Sequence, residues 1–257
     1  MLQPKKHFWG KKPGFDIGDV LHVLVNISFV AVIYLMVQYW HLAYLAVVII
    51  FLSKWRVLAV QPRFWLPNIK ANMVDLIVGV STVALIASSP ADWIAIFWTV
   101  LYIAWLLFLK PREHNVLIGI QALWGVIIGM IAVFTMIDFI KLPVFVVALV
   151  WIVAWASARH FFSNYEEPHY RTLSIVWALM VAEIAWFGLH WVQYYFVFDV
   201  KISVVAVIVA ILSLGSAGIY HSYKHNSLNK AIIVENVLFV TALLAVVMAT
   251  SGWVVNL

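Results

Sequence analysis

The chain has 257 residues, of which 65% are hydrophobic and only 11% charged, so it cannot bury its apolar surface in one soluble core and still present a wettable exterior. The formal charge of +5 would point to nucleic acid in a soluble domain, but here the basic residues lie in short segments between apolar runs, where they report orientation in a membrane; the expected partner is the lipid bilayer, with no nucleic acid. There is no cysteine, which removes disulfides, thiolate metal sites and cysteine nucleophiles together.

Residues 1–16 form a basic amino-terminal segment with Lys5, Lys6, Lys11 and Lys12. The apolar run that follows is long enough to span and lacks a small-residue cleavage site, so an uncleaved first helix is expected and residues 17–257 read as one transmembrane bundle domain. A span needs roughly 20 apolar residues. Dividing the chain at its charged and proline-bearing breaks gives nine such stretches, at about 17–39, 41–59, 71–89, 91–109, 115–137, 140–158, 172–195, 201–220 and 231–251. The fold class is therefore all-α, a polytopic bundle of about nine transmembrane helices. The second stretch is the weakest, because Lys54 and Arg56 lie in its last turns and must snorkel; eight spans is the alternative count.

The basic residues test this division independently. All of the 16 except Lys141 and Lys201 fall in the amino terminus or in alternate connections, and that asymmetry predicts a cytoplasmic amino terminus and an external carboxyl terminus in a cell (inner) membrane. The eight prolines fall in connections or first turns, where the missing N–H costs little. In the fifth stretch Ala122, Gly125, Gly129 and Ala132 share a face with GxxxG spacing, and Gly215 to Gly218 form a second small-residue patch. Packing within the bundle and a homodimer face are both open readings of these patches.

Polar residues within the spans are the functional candidates, since an ionisable group in hydrocarbon is costly and must be accommodated. Asp19, His22 and Asn26 share one face of the first helix. Asp75 enters the third stretch and Glu235 the ninth, each five residues beyond a lysine, a faint internal echo (Lys70 to Asp75, Lys230 to Glu235). The seventh stretch carries Glu183 at its midpoint and His190 about two turns, roughly 10 Å, further along the same face. Glu183 is expected to face the bundle interior and to be neutral, paired or hydrated there.

Just before it, the polar turn expected on the cytoplasmic side gathers Arg159, His160, Glu166, Glu167, His169 and Arg171 within 13 residues. Their spacing matches no metal-ligand motif, so interfacial ion pairing is expected and no metal or other cofactor. Trp124, Trp151, Trp177 and Trp186 lie deep enough to fill space between helices or to line a pocket for a flat lipid-soluble ligand such as a quinone. Phosphate-binding loops, nucleophile elbows, HExxH helices and clustered histidine boxes are all missing from the sequence, which leans away from an enzyme. Two functional readings stay open: a small proton-coupled transporter or carrier using Glu183, and a structural or assembly subunit of a membrane complex whose polar residues lock helices together and to a membrane protein partner.

Overall fold

The structure is a computed structural model describing residues 17–55, 59–110, 115–140, 142–190, 194–197 and 200–251; the basic segment 1–16 lies outside the described residues. Ten helices account for almost all of them: α1 (Ile17–Gln38), α2 (Ala43–Ser53), α3 (Trp65–Ala71), α4 (Met73–Ala87), α5 (Asp92–Ala104), α6 (Asn115–Thr135), α7 (Pro143–Asn164), α8 (Tyr170–His190), α9 (Val204–Lys224) and α10 (Lys230–Thr250). The class is an all-α membrane bundle. Seven helices are long and apolar enough to cross a bilayer, and an eighth span arises if α4 is joined to the segment before it across a 62° bend.

The difference from nine stretches is local. Residues 41–59 yield only the 11-residue α2, about 16 Å at 1.5 Å per residue, about half the hydrocarbon thickness. The stretch that begins at 71 is preceded by a 3₁₀ turn (Pro62–Phe64) and α3, which expose Phe64, Trp65, Leu66 and Ile69 beside Arg63, the amphipathic composition of a segment lying at the membrane surface.

The core runs along α4, α6 and α7, with α1, α2 and α5 packed on one side and α8 and α9 on the other. Small residues make the closest approaches. A Cβ on Gly125 would lie 2.9 Å from Val74 Cγ1, and one on Gly129 2.7 Å from Val153 Cγ1. The GxxxG face of α6 is thus buried between α4 and α7, where backbones approach closely. The Gly215 patch of α9 likewise receives Val240 of α10. Among the described residues these faces are packed inside the chain.

An antiparallel hairpin interrupts the helices: β1 (Tyr194–Val197) pairs with β2 (Val200–Ser203), Tyr195 opposite Ile202 and Phe196 opposite Lys201. Its aromatic and β-branched composition suits a pleated surface. The seventh and eighth stretches of the sequence accordingly end and begin at His190 and Val204. Ser203 both closes β2 and caps α9, its hydroxyl accepting from the Val205 N–H at 3.2 Å. Tyr195 donates to the Val247 carbonyl at 2.8 Å and meets Thr250 Oγ1 at 2.8 Å, fastening the hairpin to the end of α10.

Candidate functional site

Three polar regions stand out, and the sequence candidates distribute unequally among them. The first is centred on Asp75, only 8% exposed in the first turn of α4. Lys54, at the end of α2, forms an ion pair with Asp75 Oδ2; Lys110 Nζ lies 2.9 Å from the same oxygen; and the Trp105 indole donates to Oδ1 at 3.0 Å.

The geometry depends on an irregularity. Trp105 and Lys110 are five residues apart, which in an α-helix would turn them about 140° from one another at about 100° per residue. Here Trp105–Leu109 is a π-helical turn closed by Lys110 N–H to Trp105 C=O at 2.9 Å. That wider turn brings both side chains round to Asp75. Two ammonium groups on one carboxylate leave a surplus positive charge, held where Lys54 is largely buried and Lys110 partly exposed. Asp75 was legible as a candidate; its partners Lys54, Lys110 and Trp105 were not. Instead of snorkelling, Lys54 turns inward, and the signal that would have found it is a lysine ending one apolar run and an aspartate beginning the next.

The second region is the polar turn between α7 and α8. It does not close into one cluster. His160 looks inward to Gln121 Oε1 at 3.0 Å, and Gln121 Nε2 donates to the Leu109 carbonyl at 2.6 Å, so this pair bolts α7 to α6 and to the end of the π turn. Arg159 and Arg171 lie 5.5 and 5.7 Å from the centre of the Tyr170 ring, within cation–π range. Glu166 is exposed and takes the left-handed conformation (φ 50°) that ends α7, and His169 is exposed. Among the described residues no three His, Asp or Glu side chains converge as a metal site would require.

Glu167 reaches from the turn to α9. It accepts from Tyr220 Oη at 2.5 Å and pairs with Lys224 Nζ at 2.5 Å, both on α9. Hydrogen bonds from Lys224 and Tyr220 hold its carboxyl below the usual glutamate range. Beside it Tyr165 Oη meets His221 Nδ1 at 2.7 Å, and the His221 and His225 rings lie 4.1 Å apart. Phe161, Phe162, Tyr165 and Tyr220 pack edge to face or tilted around this junction. The sequence pointed to the turn, but not to Tyr220, His221 and Lys224 of α9 as what it docks onto.

The third region is the outer face of α8. The expectation that Glu183 faces the bundle interior is corrected: Glu183 is exposed two turns before the end of α8, in line with Leu179, Met180, Trp186, Phe187 and His190. The inward stripe of α8 is Ser174, Ala178, Val181, Ala182 and Ala185, small residues that let α7 approach closely. His190 is satisfied locally, its Nδ1 2.8 Å from the Trp186 carbonyl and its ring edge-to-face with Trp186 at 5.2 Å.

The chain has no match among protein-family profiles, curated proteins or solved structures. Function therefore rests on the chemistry of the chain itself.

The remaining candidates are peripheral. His22 is exposed on α1, with Asn26 Nδ2 bonded to its carbonyl at 2.8 Å and 3.1 Å from its ring nitrogen, a bond within one helix. The side chain of Asp19 lies outside the described residues. Glu235 is exposed on α10, so the echo between Lys70–Asp75 and Lys230–Glu235 joins a buried carboxylate to an exposed one. Of the deep tryptophans, Trp151 stacks on Trp155 at 6.0 Å as filler, whereas Trp177 lines a cavity.

Proposed function

We propose that this chain is an assembly subunit of a membrane complex, and that the outer face of α8 is where its partner packs. One observation carries the reading: Glu183 sits within a spanning helix, two turns or about 10 Å from its end, on a face that no other part of the described chain covers, among exposed Leu179, Met180, Trp186 and Phe187. An ionised carboxylate facing acyl chains carries a cost that reaches about 2.5–3.5 kcal/mol at the centre of a spanning helix on insertion scales. A neighbouring transmembrane helix that offers a hydrogen-bond donor or a cation removes that cost and supplies specificity. The same placement weighs against the proton-coupled carrier, because Glu183 does not border an interior path within a single copy.

The orientation we infer, with the short α2 also running back to the end of the bundle that holds Asp75, is an amino terminus in the cytoplasm and a carboxyl terminus outside a cell membrane. It is supported by Lys54, Lys110, Arg159, Arg171 and Lys224 gathering at the end of the bundle that carries Asp75 and the α7–α8 turn, as the positive-inside rule requires.

Since the chain has no cysteine, single cysteines at Leu179 or Phe187, alkylated with a benzophenone maleimide that inserts into a neighbouring C–H bond on irradiation, test the proposal in native membranes. A discrete adduct is expected, to a second copy or to one other membrane protein. Glu183→Gln should retain it and Glu183→Leu should lose it. A chain that stays monomeric with both cysteines, while a cysteine at exposed Val237 on α10 behaves identically, overturns the assembly reading.

A further inference from the structure

A groove of about 430 Å³ runs along α4 on the side opposite Asp75. Met73, Ile77, Val80 and Ala84, spaced three or four residues apart and so on one helical face, make one wall, and Ile152 and Val153 of α7 make the other. Ile69 of α3 lies at one end, where the chain bends by 62° into α4. Gly129 sets the depth: a Cβ there would meet Val153 and Ile77, a side chain of each wall, so α6 backs the groove at close range.

One polar group breaks this apolar lining. Ser81 is only 7% exposed and lines the groove, and its hydroxyl has no hydrogen-bond partner among the described residues. Its neighbour takes the local alternative, Thr82 donating back to the Val78 carbonyl at 2.8 Å, the habit of hydroxyls within helices. An unpaired hydroxyl is costly where no water competes for it, so an occupant of the groove that accepts from Ser81 gains directionality as well as contact.

From these observations we propose that the groove binds a neutral lipid whose carbonyl lies within an apolar body, its oxygen accepting from Ser81 Oγ. Size admits such a molecule: a cavity of about 150 Å³ takes a benzene ring, and this groove is almost three times as large. Met73 and Met136 among its lining residues adapt readily to an irregular ligand. Charge and depth together exclude a phospholipid carbonyl. No charged side chain lines the groove, and at 1.5 Å per residue Ser81 lies about 9 Å from the Ala87 end of α4 and about 12 Å from the Met73 end. A phospholipid could bring its ester to that depth from either leaflet only by drawing a charged headgroup in after it, which hydrocarbon opposes. An isoprenoid quinone and a diacylglycerol both carry the required chemistry without a charge.

The test uses the full chain reconstituted in liposomes with three probes that bear the same diazirine-tagged chain: an alkyl benzoquinone, a diacylglycerol and a phosphatidylcholine. Adducts are mapped by peptide mass spectrometry. One or both neutral probes should label the groove walls on α4, α6 and α7 and be competed away by the untagged compound, whereas the phosphatidylcholine should spread over the lipid-facing helices. Groove labelling by the quinone alone assigns the ligand as a quinone, by the diacylglycerol alone as a glyceride, and by both as any neutral lipid with this carbonyl. Ser81→Ala should weaken groove labelling about fivefold, one neutral hydrogen bond's worth, and should raise the infrared carbonyl frequency of a bound ¹³C-labelled probe. Ala84→Phe should abolish groove labelling while leaving thermal unfolding near wild type. Should Ala84→Phe misfold, Leu149→Trp serves in its place, because Leu149 lines the groove at a position already 40% exposed. Neutral probes that miss the groove, a phosphatidylcholine that labels it as strongly as they do, or labelling unchanged in Ser81→Ala would each overturn the proposal.

Discussion

Trp105 donates its indole N–H to Asp75 across 3.0 Å, a bond that joins the π-helical turn at the end of α5 to the first turn of α4. Asp75 is also the only carboxylate that Lys54 and Lys110 pair with among the described residues. Removing it strands a largely buried ammonium group, and breaking a buried pair from one side costs about 3–5 kcal/mol. Asp75→Leu should lower stability in detergent by that order. The double variant Asp75→Leu with Lys54→Met should recover most of the loss, and a cycle showing simple additivity would mean that the pair is not coupled.

Gly129 permits the closest approach of α6 to α7. In Gly129→Ala the new Cβ would sit 2.7 Å from Val153 Cγ1 and 3.1 Å from Ile77, and overpacking of this kind costs about 1–3 kcal/mol. Thermal unfolding of Gly129→Ala, alone and with Val153→Ala, measures it: the single change should destabilise and the pair should return toward wild type.

Glu167 links stability to pH. Its folded carboxyl titrates below the ordinary glutamate value, so the unfolded chain binds the proton more readily. The contribution is therefore fully present above about pH 4.3 and lost as pH falls through the lower folded value. Glu167→Gln should flatten the acid limb of the stability curve. A variant whose acid limb matches wild type would show that the Lys224 and Tyr220 contacts do not hold the ionised form.

Tyr195 anchors the hairpin to the end of α10, a helix that packs chiefly on α9 and buries little besides Val247. Tyr195→Phe removes the bonds to Val247 and Thr250, worth about 1 kcal/mol in a typical case. Hydrogen exchange should quicken in the last turns of α10 and leave α6 and α7 unchanged.

Much of the architecture was legible because a membrane imposes length and charge rules that sequence expresses directly. Pro143 opening α7 and the glycine spacing of α6 both reappear in the fold. The side of α8 that carries Glu183 was not legible, for a physical reason. Inside a bilayer both the bundle interior and the lipid are apolar, so a span has little hydrophobic contrast between its faces. What distinguishes the inward stripe of α8 is residue size, Ser174, Ala178, Ala182 and Ala185, and size is a weaker signal than polarity. The π turn at Trp105 was hidden in the same way, since nothing apolar marks the inserted residue. The hairpin is too short, at four residues a strand, to stand out from the spans on either side.

The shortness of α2 has a consequence for the lipid around it. The helix presents Tyr44, Leu45, Val48, Phe51 and Leu52 outward over a length of about 16 Å, against roughly 30 Å of hydrocarbon. Acyl chains that meet this flank must shorten or tilt, a mismatch that costs fractions of a kcal/mol per Å. We expect the bilayer to thin beside α2 and the protein to partition toward thin membranes and leave thick, ordered ones.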